Sequence, residues 1–137
     1  MAEPTVTLKR PDIDIQNDIV SIIVQYPPTA ADRHHIDVMV ADGVVTLTGH
    51  VLTPINRRFL LNRIPRVNGV RALDSTLLHD DETIRLDIGQ QIGADMFANV
   101  RYGTVALSGK VPEGDDLDAL AGLIASVPGV VRVVANV

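Results

Sequence analysis

Apolar positions along the chain follow two periods, and the periods occur in the same order twice. Ile36, Val38 and Val40 recur at every second position, Asp42-Gly43 interrupts, and Val45, Leu47, Gly49 and Val51 recur in the same way. That pattern predicts a hairpin of two strands with one buried face, the glycine supplying the positive φ of the turn. Met96, Ala98 and Val100, then Tyr102-Gly103, then Val105, Leu107, Gly109 and Val111 predict a second hairpin. The opposite strand face, Val44, Thr46, Thr48 and His50 or Thr104, Ala106, Ser108 and Lys110, is expected to meet water or another sheet.

Helical spacing surrounds each hairpin. Thr53-Pro54 supplies an N-cap and a first-turn proline, Leu60, Leu61, Ile64 and Val67 follow on one face, and Pro65 is expected to end the regular helix near Ile64. In the second half Asp115 and Asp116 hold the matching helix start, where carboxylates suit the dipole, and Leu117, Leu120, Ala121 and Ile124 form the inner stripe. Val67-Asn68-Gly69-Val70 and Val127-Pro128-Gly129-Val130 lead into final strands at 70–77 and 130–137. An earlier helix precedes each hairpin, marked by Ile15, Ile19, Ile22 and Ile23 or by Ile84, Ile88 and Ile92, with Asp18 and Asp87 equivalent.

A shift of 60 positions aligns residues 36–77 with 96–137, and 11 of the 42 pairs are identical, all of them apolar residues or glycines. The first helices need a shift of 69, so the first copy has nine extra residues, assigned to a loop at Tyr26-Pro27-Pro28-Thr29-Ala30-Ala31. The chain therefore reads as α+β, two tandem αββαβ repeats, each a three-stranded mixed sheet with two helices on one face. Residues 1–79 form the first unit, with a short N-terminal extension, and 80–137 the second. A unit of ~60 residues is marginal alone, so the copies are expected to pack together. Gly43, Gly49, Gly69, Gly103, Gly109 and Gly129 are structural turn and strand glycines, since no Gly-Lys-Ser/Thr or dinucleotide pattern follows them.

Composition narrows the class. The chain has 137 residues, 46% of them hydrophobic, and no apolar run near the ~20 residues of a membrane-spanning helix. Cysteine is absent, which removes disulfides, thiolate nucleophiles and cysteine zinc sites. Met1 to Asp12 lacks the basic start and apolar run of a secretory leader, so the sequence as written suggests the cytoplasm, or the periplasm if a native leader was removed. The net charge of −5 lies entirely in residues 80–137, with 1–79 balanced, and argues against nucleic acid as a partner.

Candidate chemistry is sparse. His34 and His35, between Asp32 and Asp37, point opposite ways in an extended segment and read as a solvated pair, and His50 and His79 read as surface residues. Asp80-Asp81-Glu82 and Asp115-Asp116 are explained by helix capping better than by paired acid catalysis. No catalytic set, metal site or cofactor is expected. Two surfaces stand out. Arg57, Arg58, Arg63 and Arg66 cluster on the second helix of copy one, where copy two has Leu117, Asp118, Leu123 and Ser126. The second helix of copy two is apolar on more than one side, making Leu117 and Leu123 candidates for holding the repeats together, for a dimer contact, or for lipid.

The runs Asp-Gly-Val-Val-Thr-Leu-Thr-Gly-His-Val at 42–51 with Val67-Asn68-Gly69-Val70, and Gly-Thr-Val-Ala-Leu-Ser-Gly-Lys-Val at 103–111 with Val127-Pro128-Gly129-Val130, resemble the BON domain, the bacterial OsmY and nodulation family. The resemblance covers roughly residues 12–137 and implies αββαβ modules in tandem, without catalysis, that associate with phospholipid or membrane surfaces. The arginine helix is then the expected contact with an anionic phospholipid surface. The alternative is a protein-interaction or scaffolding module with a protein partner or a second copy. Monovalent-cation sensing, by analogy with a potassium-binding relative that also carries a LysM domain, ranks below both.

Overall fold

The computed structural model describes residues 9–136. The N-terminal extension before Lys9 and Val137 of the expected last strand lie outside the described residues. The first repeat comprises α1 (Asp12–Gln25), the short α2 (Pro27–Ala30), β1 (Ile36–Ala41), β2 (Val44–Val51), α3 (Pro54–Arg63) and β3 (Ala72–Asp80). The second comprises α4 (Asp81–Gly89), β4 (Met96–Arg101), β5 (Thr104–Gly109), α5 (Leu117–Ala125) and β6 (Arg132–Asn136). Each repeat forms its own three-stranded sheet, ordered β1-β2-β3 and β4-β5-β6, the first pair antiparallel and the second parallel. The parallel pair requires a crossover, which α3 and α5 supply.

The core follows the two periods. Ile15, Ile19 and Ile23 of α1 and Leu60 of α3, with Ile64 just beyond it, close over Ile36, Val45, Leu47 and Val51. Ile84, Ile88, Leu120 and Ile124 do the same over Met96, Val105 and Leu107. Thr53 caps α3 by accepting the Asn56 N–H at 3.2 Å, and the helix tightens to a 3-10 turn at Ile64–Arg66, where Pro65 removes a donor.

Both hairpins turn through two residues of positive φ, Asp42-Gly43 at 50° and 77° and Tyr102-Gly103 at 47° and 79°, the pairing that suits the twist of adjacent strands. An aspartate at the start of the preceding helix holds each turn. Asp12 accepts the N–H groups of Asp42 and Gly43, both at 3.0 Å, and Asp81 accepts those of Tyr102 and Gly103 at 2.6 and 3.1 Å. Asp81 therefore serves the hairpin and not its own helix. The cap of α4 is Asp80, which accepts the Thr83 N–H at 2.8 Å. Gly49 shows why the strand glycines are needed. Its φ is 111°, and a Cβ there would run into the His35 carbonyl.

The nine-residue insertion differs from the open loop the sequence suggested. Tyr26 stacks on Phe59 with centroids 4.0 Å apart, α2 makes one helical turn, and Thr29 is fully buried, donating to the Ile23 carbonyl at 2.7 Å. Two successive prolines with a buried hydroxyl behind them fix this segment, so it packs where a polar loop would not.

Candidate functional site

The first repeat exposes a mixed apolar and basic helical face. Ile13, Val20 and Val24 fall on one stripe of α1 turned away from the sheet, 60%, 44% and 47% exposed, and Ile55 of α3 is 65% exposed. Arg58, Arg63 and Arg66 are exposed, and Arg63 and Arg66 share a groove with Asp18, Ser21, Ile22 and Gln25, which lie on another side of α1 from the apolar stripe. Asp18 is itself engaged by Arg10 at 2.6 Å.

Arg57 departs from the expected cluster. It lies on another side of α3, half-buried, and donates from Nε to the Leu78 carbonyl at 2.8 Å and from Nη2 to the Ser75 carbonyl at 3.1 Å. Those carbonyls bracket a shift in the β2–β3 register, where Asp74 faces Thr46 but Leu77 faces Thr48. An irregular strand leaves carbonyls turned out of the ladder, and a guanidinium can take two of them. The β5–β6 register runs without a shift, and Leu117 stands in the place of Arg57.

On α5, Leu117 is half-buried near the helix start while Leu123 is 55% exposed, beside a groove lined by Asp87, Gln90, Gln91 and Pro128. The two leucines point to different sides of the helix and are not brought together. The helices of this repeat also carry Leu86, 60% exposed, and their exposed charges are Glu82, Arg85, Asp87 and Asp118, one cation against three acids.

The repeats are joined by residues the sequence reading had placed at the surface. His50 Nε2 lies 2.6 Å from the Gly129 carbonyl oxygen. A carbonyl only accepts, so the proton sits on Nε2. His79 is half-buried against Gly129, where a Cβ would come within 2.8 Å of its ring, and its centroid is 6.0 Å from that of His50. Burial, then the neighbouring His50 and Arg57, hold the His79 imidazole below its ordinary range, with Asp80 opposing. His35 stacks on Tyr102 with centroids 3.5 Å apart and planes 6° from parallel.

Asp32, from the insertion, is fully buried. It accepts the Tyr102 hydroxyl at 2.9 Å, the Asn56 Nδ2 at 3.0 Å and the Leu52 N–H at 3.3 Å. Burial and the bond to Asp32 push the Tyr102 phenol up to about 12. Of the four histidines, only His34 stays apart from this junction, and among the described residues no three His, Asp or Glu side chains converge as metal ligands. The sequence offered one signal: Tyr102 occupies a left-handed turn position at which a bulky residue is disfavoured, so something beyond the turn has to hold it.

The molecule is thus two αββαβ units in tandem, joined end to end through polar and aromatic contacts and presenting helical faces of different charge. The chain belongs to the BON domain family, whose model matches residues 12–77 and again 80–137. No curated protein matches the chain. Among solved structures it is similar to CdsD, a structural protein of the Type III secretion system of Chlamydia trachomatis, with a TM-score of 0.71 and 14% identity over 91% of this chain and 61% of that one. A second CdsD structure, of the C-terminal domain, matches with a TM-score of 0.58 and 18% identity over 92% of this chain and 66% of the other. At these identities the likeness is one of fold. The chain spans about three fifths to two thirds of those structures.

Proposed function

We propose that this chain is a non-catalytic module that associates with membrane surfaces bearing anionic lipid, through the helical face of its first repeat. One observation carries the reading: the two helices of the first repeat leave both an uncovered apolar stripe, Ile13, Val20 and Val24 of α1, and exposed cations, Arg58, Arg63 and Arg66, the last two sharing a groove with α1. Apolar side chains entering the headgroup region, flanked by cations, are what an interfacial contact requires. Each cation near such a surface contributes about 1 kcal/mol, so the three arginines together correspond to roughly 100-fold in partitioning. Among the described residues no helix is long and apolar enough to cross a bilayer, and association at the surface needs none. Asp80, Asp81 and Asp116, the acids that could be read as catalytic, each accept backbone N–H groups, which leaves binding as the activity the residues support.

Co-sedimentation with phosphatidylglycerol-containing and with pure phosphatidylcholine vesicles, at low and at ~0.5 M salt, tests this. The expected result is binding to the anionic vesicles alone, lost in salt and reduced by at least about 100-fold by Arg58→Glu/Arg63→Glu/Arg66→Glu. Equal binding by that variant, or no binding to either vesicle, removes the site. A protein partner is the second reading, favoured by the open sheet faces, where Met39, Leu77 and Phe97 are 68%, 61% and 65% exposed. Vesicle binding lost on Met39→Asp/Phe97→Asp but kept by the arginine variant would move the contact to those faces.

A further inference from the structure

The junction between the repeats is directional. Each repeat has a turn end, where the hairpin turn, the start of the first helix and the loop before the last strand meet, and an opposite end, where the first strand begins and the second finishes. The opposite end of repeat one, with His35, His50 and His79, sits on the turn end of repeat two, with Tyr102, Gly103 and Gly129. Among the described residues one surface of each kind is left over: the turn end of repeat one and the opposite end of repeat two.

The turn end of repeat one preserves the frame of its docked counterpart. The Gly43 carbonyl accepts the Arg71 N–H at 2.8 Å, as the Gly103 carbonyl accepts that of Val131 at 2.8 Å. A Cβ on Gly69 would meet Ile15 and Arg10, as one on Gly129 would meet Ile84 and His79. The charge is what differs. Asp42, Arg71 and Arg10 replace Tyr102, Val131 and His79, and together with Lys9 and Asp12 they line a cavity of about 820 Å³, Arg10 being already paired with Asp18. Among the described residues no side chain donates to the Gly69 carbonyl, whose counterpart receives His50. The opposite end of repeat two has Asp95 in place of His35 and Lys110 in place of His50, followed by Glu113, Asp115 and Asp116, all exposed.

We infer that these two leftover ends dock on one another between copies, so that the chain self-associates head to tail, the acidic end of one copy on the cationic corner of the next. The contact uses the two ends that correspond to the internal junction but not its detailed pairing, since Asp95 and Asp42 stand where His35 and Tyr102 stack: Lys110, in the place of His50, lies between those two carboxylates opposite the Gly69 carbonyl, while Glu113 and Asp115 meet Lys9 and Arg71. Such a contact uses different surfaces on the two partners, so every copy keeps one of each open and the assembly grows past a dimer or closes as a ring. Its charges are exposed, so the association is reversible and screened by salt.

Sedimentation velocity of the full chain from ~10 to ~500 μM, at low and at ~0.5 M salt, reads this by mass action and screening. The expected result is a weight-average mass that rises at least about 1.5-fold across the range in low salt and stays flat in high salt. Lys9→Glu/Arg71→Glu and Glu113→Lys/Asp115→Lys, each checked by its thermal melt, are expected to weaken association about tenfold, and the fourfold variant that reverses both ends restores it. A monomer throughout, association indifferent to either reversal, or no recovery in the fourfold variant would overturn the inference. So would association that starts only when residues 1–8 are deleted, which would give the corner to that segment. Loss of vesicle binding by the Lys9/Arg71 variant in a chain that stays monomeric would give it to lipid.

Discussion

Replacing Tyr102 by Phe removes one oxygen and tests the junction between the repeats. The ring, its stack on His35 and its left-handed backbone are kept, and only the hydroxyl is lost, which donates to Asp32 at 2.9 Å with the Ala31 carbonyl as a longer acceptor at 3.3 Å. Asp32 is fully buried and retains Asn56 and Leu52 as donors, so its carboxylate is weakened in support but not stranded. A hydrogen bond to a charged acceptor contributes about 1.5–3 kcal/mol, and since the Tyr102 side chain is only half-buried, a loss of about 1.5 kcal/mol is expected. For a chain of this length that lowers the calorimetric Tm by ~4 °C. Tyr102→Asp, which installs the residue of repeat one, also loses the stack and sets a second carboxylate against Asp32, so about 3 kcal/mol is expected. Absorbance titration supplies an independent readout. The Tyr102 phenol is raised from 10.0 to about 12, so its contribution to stability is complete below about pH 10 and is lost as pH rises through about 12. The phenolate step near 12 should vanish in Tyr102→Phe. A Phe variant within about 0.3 kcal/mol of the parent, or no phenol titrating above its ordinary range while the chain is folded, would refute the assignment of Tyr102 and Asp32 as the clasp.

Two further outcomes follow from the same geometry. The His79 imidazole is held below its unfolded value of 6.5, so the stability it contributes is complete above that pH and lost as pH falls through the lower folded value; His79→Gln should flatten the fall in Tm as pH drops below 6.5, and an unchanged slope would place the acid sensitivity elsewhere. Asp12→Ala and Asp81→Ala each leave two turn N–H groups without their carboxylate and should cost about 1–3 kcal/mol by denaturant melt, Asp81 the more because it is buried and Asp12 half-buried. Equal losses would mean that water replaces both carboxylates alike.

The repeat was legible because its signals are local. Alternation at 36–51 and 96–111, the Thr53-Pro54 helix start and glycines at positions of positive φ each depend on near neighbours, and duplication showed them twice. What escaped the sequence was contact across distance. His50 and His79 read as surface because their own strands leave them on the outer face, and only the docking of Gly129, 79 positions away from His50, covers them. Arg57 matched the helical spacing of a basic face, yet the register shift in β3 drew it inward, and a shift between parallel strands leaves no mark on periodicity. Asp81 was taken for a helix cap because that role needs only the next turn, whereas the hairpin it serves lies 21 and 22 residues on.

The insertion explains why the two repeats, alike in core, are not interchangeable in order. Asp32 exists only in the first copy, within the nine added residues, and its third donor is the hydroxyl of a tyrosine that exists only in the second. The partner turn in repeat one carries Asp42, which would place a carboxylate where Asp32 requires a donor. The left-handed backbone of Tyr102 disfavours a bulky side chain, and the bond to Asp32 with the stack on His35 offsets that cost only when repeat one comes first. Divergence thus acted on the two ends of one shared frame. At the internal junction it produced a half-buried fit closed by the bond from Tyr102 to Asp32, and at the outer ends it left exposed charges.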